Sequence, residues 1–227
     1  MKHILNFFNK RSVFFVLIVS GLCLQAKSQS TSDGSRPQFL FTGFSSGKVK
    51  MKNGSFQSML LNYNTVSEKM VYEKENNLYD MINTEMYDTI FLQKSKFVPV
   101  GKVFHEVLYV DTISLFIQHK GILEPPGKPA GYGGPSQVSN TKIRSSVELS
   151  MGYWNLDLPK DYIVKADPVF WIRKDNNMFS FTTERQFLKI FPDKEEEYKQ
   201  YIKQNKIKFD RLSNVVRLIE HCNELSR

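Results

Sequence analysis

The stretch Gly47-Lys-Val-Lys-Met-Lys-Asn-Gly-Ser-Phe-Gln-Ser-Met-Leu-Leu61 decides the fold. Asn53-Gly54 separates a segment in which Lys alternates with Val and Met from a segment rich in Phe, Met and Leu. Asn-Gly suits a tight hairpin turn because Gly has no Cβ and Asn tolerates the left-handed region. Alternation with period two marks a strand with one buried and one solvated face. Two antiparallel strands over 47–52 and 55–61 are therefore expected, and the sheet is read outward from them.

Segments 69–74, 78–82, 87–92, 102–110 and 112–119 carry the same Val, Ile, Phe, Tyr and Thr enrichment, separated by polar turn residues. No helical pattern of 10–15 residues intervenes, so an antiparallel meander is expected rather than βαβ units. From Pro125 to Asn140 prolines and glycines crowd together, and no regular element is expected there. Strands resume at 147–151, 162–165, 169–173 and 178–182.

Residues 183–227 switch to helical period. Thr183 with Gln186 and Asp193 with Glu196 match the capping box, in which two side chains satisfy two orphan N–H groups. Leu212, Val215, Val216, Ile219, Cys222 and Leu225 form one apolar stripe that needs a partner surface. The fold class that follows is α+β: an antiparallel β-rich body over 29–182, as meander, sandwich or half-barrel, with a small helical unit over 183–227 packed on it.

At the N-terminus Lys2, His3, Lys10 and Arg11 precede the apolar run Ser12 to Leu24, and Ala26-Lys27-Ser28 places small residues at the −3 and −1 positions. That is signal-peptide geometry, with cleavage expected after Ser28. The run is short of the roughly 20 apolar residues of a membrane span, so no anchor is expected after cleavage. Leu22 stands before Cys23 where a lipobox needs a small residue, which disfavours lipidation. The chain has 31 Lys+Arg against 23 Asp+Glu, and loss of Lys2, Lys10, Arg11 and Lys27 leaves a net charge of +4. No block of like charge survives, so neither nucleic acid nor an anionic membrane is implied. Of the two cysteines only Cys222 outlasts cleavage, so no internal disulfide is expected.

The phrases Leu61-Asn-Tyr63 and Phe104-His-Glu-Val-Leu-Tyr109, with the tail from Phe187 to Ile207 and the ending His221-Cys-Asn-Glu-Leu225, resemble exported proteins of Bacteroidota. The resemblance implies a cell-envelope protein of a diderm bacterium, periplasmic, associated with the outer membrane or secreted, and brings no activity with it. It also implies that Asp88-Thr-Ile90 and Asp111-Thr-Ile113 match that phylum's O-glycosylation sequon, with Thr89 and Thr112 as acceptors. A turn entering a strand accounts for Asp-Thr equally well.

Gly43-Phe-Ser-Ser-Gly47 matches the nucleophile-elbow pattern, but an elbow needs a helix after the serine and Lys48 to Lys52 reads as a strand. His105-Glu106 opens an H-E-x-x-H pattern that Tyr109 breaks. A simple hairpin would set His105 opposite Gln118 and Phe104 opposite His119, putting the two imidazoles on opposite faces. His221 lies off the apolar stripe and reads as a solvated residue of its helix's last turn. Lys128 is followed by Pro129, so the nearby glycines make no phosphate cradle. Asp157, Asp161, Asp167 and Asp175 read as turn formers. Tyr132, Tyr153 and Trp154 are the candidate ligand or partner contacts, as aromatics in or beside a long loop. No catalytic, cofactor or metal residue is assigned. The expected role is a non-enzymatic binding or structural module for an envelope protein, glycan or lipid, with no nucleic acid. A hydrolase with an unrecognised site, or a lipid carrier with acyl chains between a curved sheet and helices, are the alternatives.

Overall fold

The period-two alternation that begins at Gly47 runs through a ten-stranded antiparallel sheet in a computed structural model of the chain. The structure describes residues 36–124 and 162–226, together with 128–129, 135–136 and 158. In chain order the strands are β1 (Ser45–Met51), β2 (Phe56–Asn64), β3 (Lys69–Lys74), β4 (Asn77–Asp80), β5 (Tyr87–Leu92), β6 (Ser95–Val100) and β7 (Val103–Tyr109). Then come β8 (Ser114–Gln118), β9 (Gly121–Glu124), β10 (Lys128–Pro129), β11 (Pro135–Ser136), β12 (Ile163–Ala166), β13 (Val169–Lys174) and β14 (Asn177–Phe181). The main sheet has the order β14-β13-β8-β7-β6-β5-β1-β2-β3-β4, while β9 pairs with β12 and β10 with β11. The pairing of Lys128 with Ser136 and Pro129 with Pro135 corrects the expectation that 125–140 holds no regular element. The signal segment 1–28 and the strand expected at 147–151 lie outside the described residues.

The deciding hairpin forms as a three-residue loop. Gly54 N–H donates to the Met51 carbonyl at 3.0 Å and Met51 N–H to the Ser55 carbonyl at 2.9 Å, with Gly54 at φ 87°. That is a type I turn followed by a left-handed residue, which a side chain at position 54 would strain. Two other hairpins use tetrapeptides without glycine, Lys74-Glu-Asn-Asn77 and Lys174-Asp-Asn-Asn177. In both, the two central residues have positive φ and the last Asn donates to the first central carbonyl at 3.1 Å.

β6 is a strand the sequence reading does not contain, because Pro99 argues against a central strand. Its ladder to β5 stops at Ile90↔Phe97, while its ladder to β7 runs through Pro99↔Phe104 to Val100↔Val103. In a two-residue hairpin the closing pair, here Val100 and Val103, exchanges hydrogen bonds. Pro99 therefore aims its missing donor away from β7, toward β5, where the paired register has ended.

Alternate residues build two cores on one face of the sheet. Val49, Leu61, Tyr63, Met70, Ile90, Leu92, Phe97 and Phe104 form the first, as β1–β7 curl around them. Leu115, Ile117, Phe170, Ile172 and Phe181 form the sheet side of the second. Its other side is supplied by α1 (Glu184–Leu188), α2 (Glu195–Gln204) and α3 (Leu212–Glu224). Phe181, Phe187, Phe191, Tyr198 and Phe209 interlock there at ring separations of 5.2 to 6.0 Å. Among the described residues, the space between helices and sheet that a lipid carrier would need is filled by these rings.

The helical stripe is rotated from its expected position. Val215, Leu218, Ile219, Cys222 and Asn223 are buried, whereas Leu212 and Leu225 are exposed at the helix ends. The Thr183 cap forms, its hydroxyl accepting from Gln186 N–H at 3.4 Å. The Asp193–Glu196 box does not, because Pro192 opens a 3-10 turn that runs into α2 and leaves Lys194 at the cap. Asn223 locks α3 to the sheet: its Oδ1 accepts from Ile113 N–H at 2.8 Å and its Nδ2 donates to the Ile113 carbonyl at 2.9 Å.

Ile219→Ala, at a fully buried site, should cost about 2–5 kcal/mol by the cavity it leaves. Asn223→Ala should cost about 1–3 kcal/mol, because Ile113 N–H then stays buried without a partner. Urea unfolding of both variants measures these costs, and an unchanged midpoint for Ile219→Ala would show that α3 is not part of the folding unit.

Candidate functional site

The polar side chains singled out by the sequence do not converge on one cleft. Glu106 pairs by register with Ile117 and Phe97, which places it on the core face. There His119 Nε2 lies 2.6 Å from Glu106 Oε2, with each side chain 17% exposed, between the two cores. Burial pushes the Glu106 carboxyl up, but the bonds from His119 and Ser95 outweigh it and hold it below its ordinary value. The His119 ring packs against the stacked pair Tyr63 and Phe97, at 6.0 and 6.3 Å. Among the described residues no hydroxyl or thiol is bonded to His119; the Ser95 hydroxyl bonds to Glu106 instead, so the imidazole and the serine do not form a base–nucleophile contact.

His105 lies on the other face. The ladder Glu106↔Ile117 and Val107↔Phe116 gives the register in which His105 opposes Gln118, as the hairpin geometry requires. The turn differs: a bulge between Val107 and Tyr109 feeds a longer loop. His105 is 1% exposed, packs against Trp171 at 5.2 Å, and neither ring nitrogen has a partner among the described groups. Burial, reinforced by the nearby His119, pushes its pKa down from 6.5 to about 4. Gln118 links the two faces, accepting from Trp171 Nε1 at 2.9 Å and donating to Glu68.

Ser45 is the first residue of β1, and its Oγ accepts from Gln93 Nε2 at 3.2 Å rather than facing an imidazole. Gly47 of the same pattern is there for packing: a Cβ would stand 2.7 Å from Leu61 Cδ1 and 3.0 Å from the Phe91 carbonyl. His221 is stacked on Tyr201 at 3.7 Å and is half-buried rather than free in the last turn. Asp175 is a turn residue at φ 50°, and Asp167 N–H donates to the Lys120 carbonyl at 2.7 Å. Thr89 is 5% exposed and its hydroxyl donates to Asp88 at 2.6 Å, so of the two sequon threonines only Thr112 presents its side chain to solvent. Tyr132, Tyr153, Trp154, Asp157 and Asp161 lie outside the described residues.

What the sequence reading missed is the outer face of the sheet. Lys48, Lys50, Lys52, Lys96 and Arg173 gather there, against the carboxylates Asp88 and Glu73. The dispersed charges meet because β1 turns every second residue outward, and because Lys48, Phe91 and Lys96 stand side by side across β1, β5 and β6. The signal was present in Lys48-Val-Lys-Met-Lys52, whose alternation puts three cations on one face.

On this face lies a trough of about 500 Å³. Val98, Val107, Phe116 and Met178 give it an apolar floor, and Lys52, Lys96 and Arg173 stand around it. The Arg173 guanidinium sits 5.4 Å from the Phe116 ring. Asp88 also lines it; the Thr89 hydroxyl, then Lys50 at 3.4 Å, hold its carboxyl below its usual value. Among the described residues Lys52, Lys96 and Arg173 have no carboxylate at ion-pair distance. Comparison with family models, curated proteins and solved structures returned no match.

His105 generates a pH prediction. In the unfolded chain its imidazole protonates near 6.5, in the folded chain only near 4, so between these values the unfolded state binds the extra proton. Stability conferred above pH 6.5 is thus lost as pH falls toward 4, by on the order of 3 kcal/mol over the window. His105→Leu should flatten the fall in urea-unfolding free energy between pH 7 and pH 5. An unchanged slope would place the titration elsewhere.

Proposed function

We propose that the chain is an exported cell-envelope module of a diderm bacterium, non-enzymatic, whose outer sheet face binds an anionic amphiphile. The observation that carries the reading is the trough, where an apolar floor is ringed by three cations that have no carboxylate at ion-pair distance among the described residues. An apolar body removes the half-buried Val98, Val107 and Met178 from water, and a phosphate or carboxylate head meets Arg173 or Lys96. The lipid-carrier alternative in its original form loses support, since aromatic rings occupy the space between helices and sheet. The hydrolase alternative gains little from Glu106 and His119: the Ser95 hydroxyl bonds to the Glu106 carboxylate, with no base aligned on it, and His119 bonds to Glu106.

Calorimetric titration of residues 29–227 with monomeric decyl phosphate and with decyltrimethylammonium tests the reading. The phosphate should bind and the ammonium should not. Arg173→Gln and Lys96→Gln should each weaken the phosphate about tenfold, as expected for loss of a hydrogen bond to a charged group. Equal affinity for both amphiphiles, or indifference to both substitutions, would rule the trough out. Export is tested separately: mass spectrometry of the native protein should find Gln29 at the N-terminus, and an unprocessed or Cys23-lipidated chain would overturn that part.

A further inference from the structure

Beside the trough the same face carries large apolar side chains that stand in solvent. Phe56 is 55% exposed, Leu60 45% and Phe91 42%. Phe56 and Phe91 alternate with lysines across the strands, whereas Leu60 stands between Ser46 and Glu73. Lys96, Phe91 and Lys48 form one cross-strand row, and Phe56 pairs with Lys50 in another. Lys48 Nζ lies 6.0 Å from the centre of the Phe56 ring. On this part of the sheet the opposing carboxylates are Asp88, which is tied to Lys50, and Glu73, opposite Leu60.

We propose that this face docks on an anionic phospholipid surface, a proposal that rests on reading the trough as an amphiphile site and names the bilayer as the source of the amphiphile. Charge complementarity selects an anionic partner, and the interleaving selects a lipid among anionic partners. The centre of a protein–protein interface is depleted in lysine, because burying an ammonium against another protein costs its hydration. Here every row that offers a ring also offers a lysine, so a protein could not cover Phe56 and Phe91 without covering Lys48 and Lys50 as well. A bilayer interface asks for no such burial. Phe and Leu enter the boundary between headgroups and acyl chains, while lysine stems lie along them and the ammonium groups reach outward to phosphates. The trough opens on the same side, so an acyl chain or headgroup displaced from the bilayer meets Lys96 and Arg173 without crossing water.

Residues Ser35–Arg227 form a compact unit by themselves, so a chain starting at Gln29 avoids the confounding apolar leader. Flotation of this chain with vesicles of phosphatidylcholine alone, and with phosphatidylglycerol added, is the test. Binding should require phosphatidylglycerol and should fall steeply as salt is raised. Lys48→Gln should lower the partition coefficient about fivefold. The double variant Phe56→Ser, Phe91→Ser should lose flotation yet keep its affinity for decyl phosphate, since neither ring lines the trough. Flotation that survives the double variant, or equal binding to neutral vesicles, overturns the docking proposal. So does displacement of the vesicles by soluble polyglutamate or DNA at comparable charge, which would assign the face to a soluble polyanion. If vesicles fail while decyl phosphate still binds, the docking surface is refuted and the trough stands. If neither binds, both fall.

Discussion

Both hydrophobic cores of this protein are built on one face of one sheet, and the rest of its structure answers to that constraint. In a strand, successive side chains point to opposite faces, so a face committed to burial along ten strands sends every other residue outward. The two halves cover the committed face differently. β1–β7 curl until Tyr63, Met70, Phe97 and Phe104 meet each other, whereas β8, β13 and β14 stay open enough for three helices to lie on them. Glu106 and His119 sit where the solutions join. A polar pair is tolerable there because each group bonds the other and both keep some access to solvent.

Two buried asparagines hold the margins of this arrangement. Asn223 gives Ile113 both the donor and the acceptor that a neighbouring strand would have given, at 2.8 and 2.9 Å. Asn62 does the same for Phe41, accepting from its N–H at 3.1 Å and donating to its carbonyl at 2.9 Å. A bare helix or a bare loop laid against a sheet would leave such backbone groups desolvated, at about 1–3 kcal/mol each. A side-chain amide replaces the missing ladder without adding a strand, so the helices close one half of the sheet and the segment before β1 closes the other. Among the described residues this economy fails at Gln38, Ser67, His105 and Tyr63, whose side-chain polar atoms are buried with no described partner. Burial accordingly keeps the imidazole neutral and pushes the phenol far up.

The fold was largely legible because its main signals are local. Period-two alternation, Asn53-Gly54 and the Thr183 cap are each decided within a few residues, and the strands over 69–74 and 87–92 begin and end where composition places them. What escaped depends on distant neighbours. β6 was hidden by Pro99, whose missing donor is harmless only because the register with β5 has stopped at Phe97. Leu218 and Asn223 belong to the buried side of α3 while Leu212 does not, since Asn223, near the C-terminal end, is bonded to Ile113 and Leu212 stands exposed at the other end. The turns at 74–77 and 174–177 contain no glycine and announce themselves only as a shared pattern, Lys, an acid and two Asn. For the site, a charge count along the chain sees an even spread, whereas strand order places Lys96 next to Phe91 and Lys48. Lateral neighbours in a sheet are set by register, and that ordering is what the linear reading lacked.

Lysines on an exposed sheet face have an ordinary purpose, which is to keep the face from pairing with others and to keep the protein in solution. That purpose explains Lys48, Lys50 and Lys96 taken alone. It does not explain their companions. A face selected only for solubility would fill the positions between the lysines with Thr, Ser or Gln, as β2 does at Ser58, because an exposed ring gains nothing from water. Instead Phe56 and Phe91 occupy those positions at 55% and 42% exposure, Leu60 stands exposed nearby, and the floor of the adjoining trough is Val98, Val107 and Phe116. Cations and exposed apolar groups are each commonplace on a protein surface. Held on one face, beside an apolar trough ringed by cations that no described carboxylate pairs, they match a partner that is itself both anionic and apolar within a few ångströms of depth. A lipid headgroup and the first methylenes below it have that profile.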